Sequence, residues 1–561
     1  MASNLESNEP ARVERPHRKG RLGLFASIAL FLVTLILSRV AWEFDHAVGN
    51  VVFAIGTILS LAILYFWLLL RRGIGWKAKA IVAVFPLLLV GAITAAFRID
   101  GFSGELVPQF QGRWHKQAVS ITSSIKKNEP ANQTVNGDTT AGTNNKLLPQ
   151  PGDIFYDYVS TQFFGNDRNG IFPNIDLQTD WLSNPPQELW RVPIGAGWAS
   201  FALKDGLAIT LEQTTDGKNE NVVALRLEDG KPVWIVPLEG SHYRVEGGGG
   251  PRTTPAIEGD LVFALSSVGK FVALDLKSGE IRWQRDLLKE SNVSLPAFEM
   301  EVSWGRSNSP LIIQDVVVVP VGGGADASTR STLVAYDKAS GEIRWKSGSN
   351  QISYSSPLKM TIDGVEQIVY TDEKQVAGYN IDDGKPLWGY PWSSHSNGDA
   401  SVSQSAQIDS QSLFISKGYF VGCARLEVKR EGEQWNVNKI WSSDKSLKTK
   451  FTSCVLHDGY AYGLNDGRLE CVDLEKGERR WMKGRYGHGQ VLLCKDNLII
   501  SSESGELVLA AADCDKFQEI AKTPVLDGVT WNIPTVSNDL VIMRNAKEAV
   551  CLKVPVNSTK N

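Results

Sequence analysis

Six times between Val222 and Trp481 the chain repeats one pattern: an alternating apolar stretch, a polar residue followed by Gly, and a second stretch ending on tryptophan. The copies are VVALRLEDGKPVW, FVALDLKSGEIRW, LVAYDKASGEIRW, VAGYNIDDGKPLW and LECVDLEKGERRW, with a longer variant ARLEVKREGEQWNVNKIW, and successive terminal tryptophans lie 40 to 62 residues apart. A repeat of that period means stacked supersecondary units rather than one irregular core. Alternation specifies a strand, the Gly supplies a positive-φ turn, and a second strand returns to the Trp. Two further strand signals precede each hairpin, as in TTPAIEGDLVFALSSVGK and SNSPLIIQDVVVVPVGG. Four antiparallel strands per repeat of about 45 residues describe a propeller blade.

The outer strands predicted are those at Trp190, Trp234, Trp283, Trp345, Trp388, Trp441 and Trp481, with a degenerate one near Phe517. The last segment, WNIPTVSNDLVIMRNAKEAVCLKV, supplies three strands and QELWRV, at the start of the repeats, supplies one. Together they predict an eighth blade closed by both ends of the domain, which removes exposed edges. The expectation is an all-β eight-bladed propeller over residues 186–555 with a short tail, 556–561. Of the 17 tryptophans, 12 lie at or after Trp190, so most are assigned to packing between blades. Burying one such ring contributes about 4–6 kcal/mol gross.

The first hundred residues are of another kind. Leu22–Trp42, Val48–Leu70 and Ala80–Phe97 are apolar runs of about the length that spans a bilayer. Arg12, Arg15, Arg18, Lys19 and Arg21 precede the first run, and Arg71, Arg72, Lys77 and Lys79 lie between the second and third. The loop after the first run carries Glu43 and Asp45 instead. Basic residues stay on the cytoplasmic side, so residues 1–21 form a cytoplasmic tail and 22–98 hold three spans. Everything after Arg98 is then expected on the far side of a bacterial inner membrane. Residues 99–185 read as a linker and propeller lead-in, poorest in large apolar groups from about Gln117 to Pro151. The sequon at Asn132 matters only in a eukaryotic secretory route. A net charge of −4 and a pI near 6.1 give no reason to expect nucleic acid.

The hairpin motif A-x-D-x-x-x-G-x-x-x-W, best kept in ALDLKSGEIRW and AYDKASGEIRW, resembles the pyrroloquinoline-quinone (PQQ) type propeller repeat. That repeat is shared by quinoprotein alcohol dehydrogenases and BamB-like outer-membrane assembly factors. The segments FFGNDRNGIFP, KGYFVGCARL and GRYGHGQVLL look like those of PQQ-like repeat proteins common in Planctomycetes. The resemblance implies either a binding and scaffolding role or quinoprotein chemistry. Function sits in a site grafted onto the fold, not in the repeat.

In a propeller, the residues just before each innermost strand line the mouth of the central channel. Aligned blade by blade they are Trp198, Arg252, Arg306 with Asn308, Tyr354, Gln404, Lys450, His488 with Gln490, and Trp531 with Asn532. This ring is polar, aromatic and cationic, with hardly a carboxylate, and would suit a multi-anionic ligand. The alternative is that these groups satisfy one another around a narrow channel.

The resemblance to quinoprotein dehydrogenases implies calcium ligands, an aspartate base and often an adjacent-cysteine disulfide. Calcium takes several oxygen donors, and Glu301 and Asn308 offer two. No base stands out in the ring, no two of Cys423, Cys454, Cys471, Cys494, Cys514 and Cys551 are adjacent, and no Cys-x-x-Cys-His is present. Cys471 falls at the small buried position of its hairpin. His488 is a single candidate ligand contact, and zinc wants three or four. The run Gly247 to Gly250 precedes a strand and no helix, so a phosphate loop fails for lack of context. The expected function is therefore a membrane-anchored, extracytoplasmic binding or scaffolding module with no cofactor or metal expected and catalytic residues, if any, unassigned, its partner a protein or an envelope polymer beside the lipid bilayer. The alternative is a membrane-bound alcohol or sugar dehydrogenase dependent on PQQ and calcium.

Overall fold

The structure is a computed structural model and describes residues 22–44, 46–71, 73–114, 121, 154–393 and 403–557. The basic tail 1–21, nearly all of the Gln117–Pro151 stretch with Asn132, and residues 558–561 lie outside the described residues. The chain divides into two compact units, one helical and N-terminal, the other built of sheets.

Three helices come first: α1 (Leu22–Phe44), α2 (His46–Leu70) and α3 (Trp76–Ala96). Each is long and apolar enough to cross a membrane, since about 20 residues rising 1.5 Å apiece match the hydrocarbon thickness. α3 begins four residues earlier than its uncharged run, taking Lys77 and Lys79 into its first turn. Helices α1 and α2 meet through small residues: Ser27 Oγ donates to Ser60 O at 2.7 Å. A Cβ on Gly56 would lie 2.1 Å from the Thr34 hydroxyl. Small-residue contacts of this kind are how helices associate where no hydrophobic force separates them from lipid.

The sheet unit is an eight-bladed propeller of four-stranded antiparallel sheets. In chain order the blades are 1 (202–238), 2 (256–286), 3 (311–347), 4 (358–391), 5 (406–443), 6 (455–483), 7 (490–524) and 8, in which 535–553 are completed by the strand Gln187–Pro193. That closing strand pairs antiparallel with Glu548–Lys553, Trp190 opposite Cys551. The expected closure of the ring by both ends is thus present.

Each letter of the repeat has a physical role. The outer Trp sits opposite a small residue of the neighbouring strand: Ala224 faces Trp234, Ala273 faces Trp283, Ala335 faces Trp345 and Cys471 faces Trp481. The register shifts immediately after each of these pairs, a bulge that turns the outer strand. The Asp caps the hairpin turn, as when Asp275 Oδ1 accepts the N–H groups of Lys277 and Ser278 at 3.1 and 2.9 Å. The Gly has a second function beyond its φ near +70°. A Cβ on Gly230, Gly279, Gly341, Gly384 or Gly477 would lie within 2.4–2.9 Å of the Trp ring of the preceding blade.

The indole N–H groups then tie blade to blade. Trp190, Trp234, Trp283, Trp345, Trp441 and Trp481 donate to the carbonyls of Leu227, Leu276, Lys338, Ile381, Leu474 and Asp513, each in the next blade, at 2.7–3.0 Å. Trp388 is the exception. Blade 5 has ten-residue outer strands, Gly422–Glu431 and Gln434–Ser443, in place of the short capped turn, and Trp388 donates instead to Gln367 Oε1 in its own blade. The outer strand of blade 7 is Glu519–Pro524. Phe517 lies in the turn before it and packs edge-on against Trp481, centroids 5.6 Å apart.

The lead-in segment 154–178 is part of the propeller. Val159 N–H donates to Ser537 Oγ in blade 8, Ser160 pairs with Leu203 in blade 1, and Thr161 O accepts Ile257 N–H of blade 2. Ile171–Phe172 then pairs in parallel with the inner strand of blade 7. Innermost strands otherwise present an unpaired edge to the channel, and the lead-in takes up backbone groups of that edge in blades 1, 2 and 7. Arg168 reaches furthest: its guanidinium donates to Ser309 O and Pro310 O at the entry to blade 3, while its own carbonyl accepts Gln404 Nε2 from blade 5.

Candidate functional site: the channel mouth

The loops that enter the innermost strands carry the ring, and its side chains fall into two groups. The amides staple neighbouring blades. Asn308 Nδ2 donates to Ser353 O and Ser355 O of blade 4, and Asn532 Nδ2 to Ala199 O of blade 1. Gln490 Nε2 donates to Phe451 O and Trp531 O at 3.2 and 2.9 Å, so blade 7 grips blades 6 and 8 at once. Gln404 holds Arg168. All four are buried, and their donors are committed to carbonyls that would otherwise go unpaired.

The aromatic residues form a chain across four blades. Trp198 and Trp531 meet with planes tilted by 46° and centroids 4.8 Å apart, Trp531 meets Phe451 at 5.0 Å, and Phe451 meets His488 at 5.1 Å. Trp198, Trp531 and Phe451 are half-buried and His488 is buried. Both indole N–H groups are anchored: Trp198 Nε1 donates to Gly247 O at 2.8 Å, and Trp531 Nε1 to Glu503 Oε1 at 2.9 Å. The other oxygen of Glu503 accepts the His488 backbone N–H at 3.0 Å. A ligand at this chain therefore meets ring faces rather than indole N–H groups.

The three cations differ. Arg306 is fully buried, donates to Pro320 O and Val321 O, and stacks over Phe298 at 4.2 Å; it is turned away from the amide staple that its neighbour Asn308 makes. Lys450 is buried, with Asp466 3.8 Å from Nζ and the Tyr419 ring at 5.6 Å. Arg252 donates through Nε to Trp304 O at 2.8 Å and through Nη2 to Gly247 O and Gly248 O at 2.9 and 3.1 Å. Burial pulls the guanidinium of both arginines down to about 10, which leaves them cationic at neutral pH. Tyr354 Oη accepts Trp304 N–H at 3.1 Å, and burial pushes its phenol well above the usual range.

Sequence reasoning passed over Trp304, Phe451, Glu503 and Arg168, and weighed Gly247 only as part of a phosphate loop. Trp304 lies in the loop after helix α5 (Leu295–Glu301), which follows the short α4 (Leu287–Glu290) between blades 2 and 3, where no repeat register places it. Glu503 sits in a tight turn between strands, a place where acids are usually solvated. The glycine run explains itself here: a Cβ on Gly247 would lie 2.9 Å from the Trp304 ring and 3.1 Å from Arg252 Nη2. A Cβ on Gly250 would meet Ala196 O at 2.5 Å. The run lets two tryptophans and an arginine close on bare backbone.

The two residues offered for calcium do not share a site. Glu301 pairs with Arg330 at 3.1 Å, whereas Asn308 is engaged with the carbonyls of blade 4, so this donor set does not fit the ion. Among the described residues, three acid or thiol ligands come together at Asp513, Cys514 and Asp515, in the outer turn of blade 7. All six cysteines are free thiols.

Residues 218–483 match the family described as outer membrane protein assembly factor BamB. BamB of Burkholderia pseudomallei strain K96243 is 24% identical over 238 residues, 41% of this chain and 52% of that protein. Methanol dehydrogenase (cytochrome c) subunit 1 of Paracoccus denitrificans is 33% identical over 86 residues, 15% of this chain and 12% of that one. The chain thus spans about half the length, or less, of these curated relatives. A solved quinohemoprotein alcohol dehydrogenase from Pseudomonas putida HK5 superposes with a TM-score of 0.50 at 11% identity, covering 72% of this chain and 81% of that one. At that identity the likeness concerns the fold.

Proposed function

The propeller belongs to the PQQ-like repeat family, and from that premise we propose that the chain is a membrane-anchored binding or scaffolding module whose working surface is the channel mouth. The helices α1 to α3 hold it in a bacterial inner membrane with the N-terminus cytoplasmic and the propeller outside the cytoplasm. The partner is a protein or an envelope polymer, and the relatives named as assembly factors support that class. The observation that carries the reading is the half-buried chain Trp198–Trp531–Phe451. It is a preformed contact surface whose indole N–H groups and neighbouring carboxylate, Glu503, are already committed within the protein. Half-exposed aromatic clusters of this kind anchor interfaces.

The test is a photo-crosslinking residue at position 531 in the full-length protein in its membrane, with the adducts identified. One discrete adduct that disappears in Trp198→Ala supports the reading. The rival is a quinoprotein dehydrogenase, which the methanol dehydrogenase match brings in. Dye reduction with alcohols or sugars after loading the full-length protein with PQQ and calcium would overturn the scaffold reading. A reporter fused to the C-terminus and active only in the cytoplasm should stay silent.

A further inference from the structure

The sequence suggested a ring able to hold several negative charges; the structure leaves one cation with an open edge. Arg306 is enclosed by its own blade and Phe298, and Lys450 is enclosed beside Asp466. Arg252 is partly exposed. Its Nε and Nη2 are fixed by three carbonyls, whereas Nη1 makes no hydrogen bond among the described residues. No carboxylate of the described residues lies within 4 Å of it to form an ion pair. A largely desolvated guanidinium held rigid on one edge and unpaired on the other is built to receive an anion, because the desolvation cost is already met in the folded state.

The surroundings narrow the anion. Trp198 Nε1 and Arg252 Nη2 share the Gly247 carbonyl, and the Trp304 ring lies against Gly247 from the other side. Ring surface therefore lies beside the anchored edge of the guanidinium. It continues from Trp198 to Trp531 and Phe451 in centroid steps of 4.8 and 5.0 Å, about the reach of three extended residues. A highly charged polymer would leave all but one of its charges facing rings.

We infer that Arg252 Nη1 seats a single carboxylate of a peptide segment whose neighbouring aromatic or apolar side chains lie along Trp198, Trp531 and Phe451. This rests on the reading of the mouth as a binding surface and names the chemistry it selects. The carboxylate is either a free C-terminus or an internal Asp or Glu, and the two are separable by experiment.

The full-length protein in detergent is titrated, by fluorescence anisotropy, into three pools of labelled hexapeptides. One pool ends in Phe, Tyr or Leu with a free carboxylate. The second is the same pool as C-terminal amides, and the third is amide-capped with a Glu before the last residue. The free-acid pool, or the Glu pool if the carboxylate is internal, should bind at least tenfold tighter than the plain amides. That advantage should shrink as salt rises and should vanish in Arg252→Gln, with Arg252→Lys keeping part of it. The acid-against-amide comparison in the unmodified protein needs no variant to fold. Equal binding of the plain amides and both carboxylate-bearing pools, retention of the advantage in a folded Arg252→Gln, or no binding by any pool overturns the inference. If crosslinking at position 531 still yields a discrete partner, the scaffold reading survives that failure; loss of both removes it.

Discussion

Gly279 lies so close under the indole of Trp234, one blade earlier, that a Cβ there would be 2.7 Å from the ring. Gly279 also has φ +72°, so Gly279→Ala adds strain and overlap together. The expected loss is about 2–4 kcal/mol of unfolding free energy. Gly259 has φ +57° with nothing near its missing Cβ, and Gly259→Ala should cost only about 1 kcal/mol. Denaturant titration of the pair separates packing from backbone strain. Equal losses would mean that the ring contact adds nothing.

Arg168 ties the lead-in to blades 3 and 5 without a carboxylate partner; burial pulls its guanidinium down to about 9. Arg168→Met leaves the Ser309 and Pro310 carbonyls without that donor. The expected cost is about 2–4 kcal/mol, with faster proteolytic cutting within 154–178 while the blades stay resistant. Unchanged cutting would show that the strand pairing at Ile171–Phe172 holds the lead-in alone.

Glu220 is buried at the junction of blades 1 and 2, where it accepts hydrogen bonds from Ser267 and Ser241. Burial pushes its carboxyl from 4.5 up to about 7. A folded value above the unfolded one means that protonation favours the fold. Its contribution is full below about pH 4.5 and is lost as pH rises through 7. Glu220→Gln, neutral throughout, should gain on the unmodified protein by about 3 kcal/mol between pH 4.5 and 8. Stability curves of the two proteins that run parallel across that range would refute it.

Five cysteines are buried, Cys423, Cys454, Cys471, Cys494 and Cys551, and burial pushes their thiols far up, four of them to about 12. Only Cys514 is partly exposed. A thiol reagent should therefore modify one cysteine quickly in the native protein and six after unfolding. Several fast thiols would mean that the blades open readily.

The architecture was legible because one side-chain pattern does three jobs in the blades that keep it whole, 2, 3 and 6. Asp caps the turn, Gly clears space for the neighbour's ring, and Trp bonds to the next blade's backbone, so the periodicity that sets the strands also sets their stacking. The lead-in was legible only as a resemblance. FFGNDRNGIFP has no strand period, and its contacts are to carbonyls and N–H groups that no side-chain pattern encodes. The mouth was half legible. Register put Trp198, Arg252 and Trp531 on the loops that enter the inner strands, where they lie, but it could not tell which donors stay open and which grip the next blade. Asn308, Gln490 and Asn532 grip neighbouring carbonyls, contacts between blades that no pattern within one repeat encodes.

The pairing of Trp190 with Cys551 joins segments at opposite ends of the domain. The ring therefore cannot be completed until nearly the whole domain has been made, and long-range closure of this kind is slow. Until then the edge of Gln187–Pro193 that pairs with Glu548–Lys553 and the strand Ile171–Phe172 that awaits blade 7 are open templates for pairing with other chains. Whatever accompanies this chain during synthesis must guard two seams, and the time to seal them, more than the strength of any one blade, should set how much of it reaches its native form.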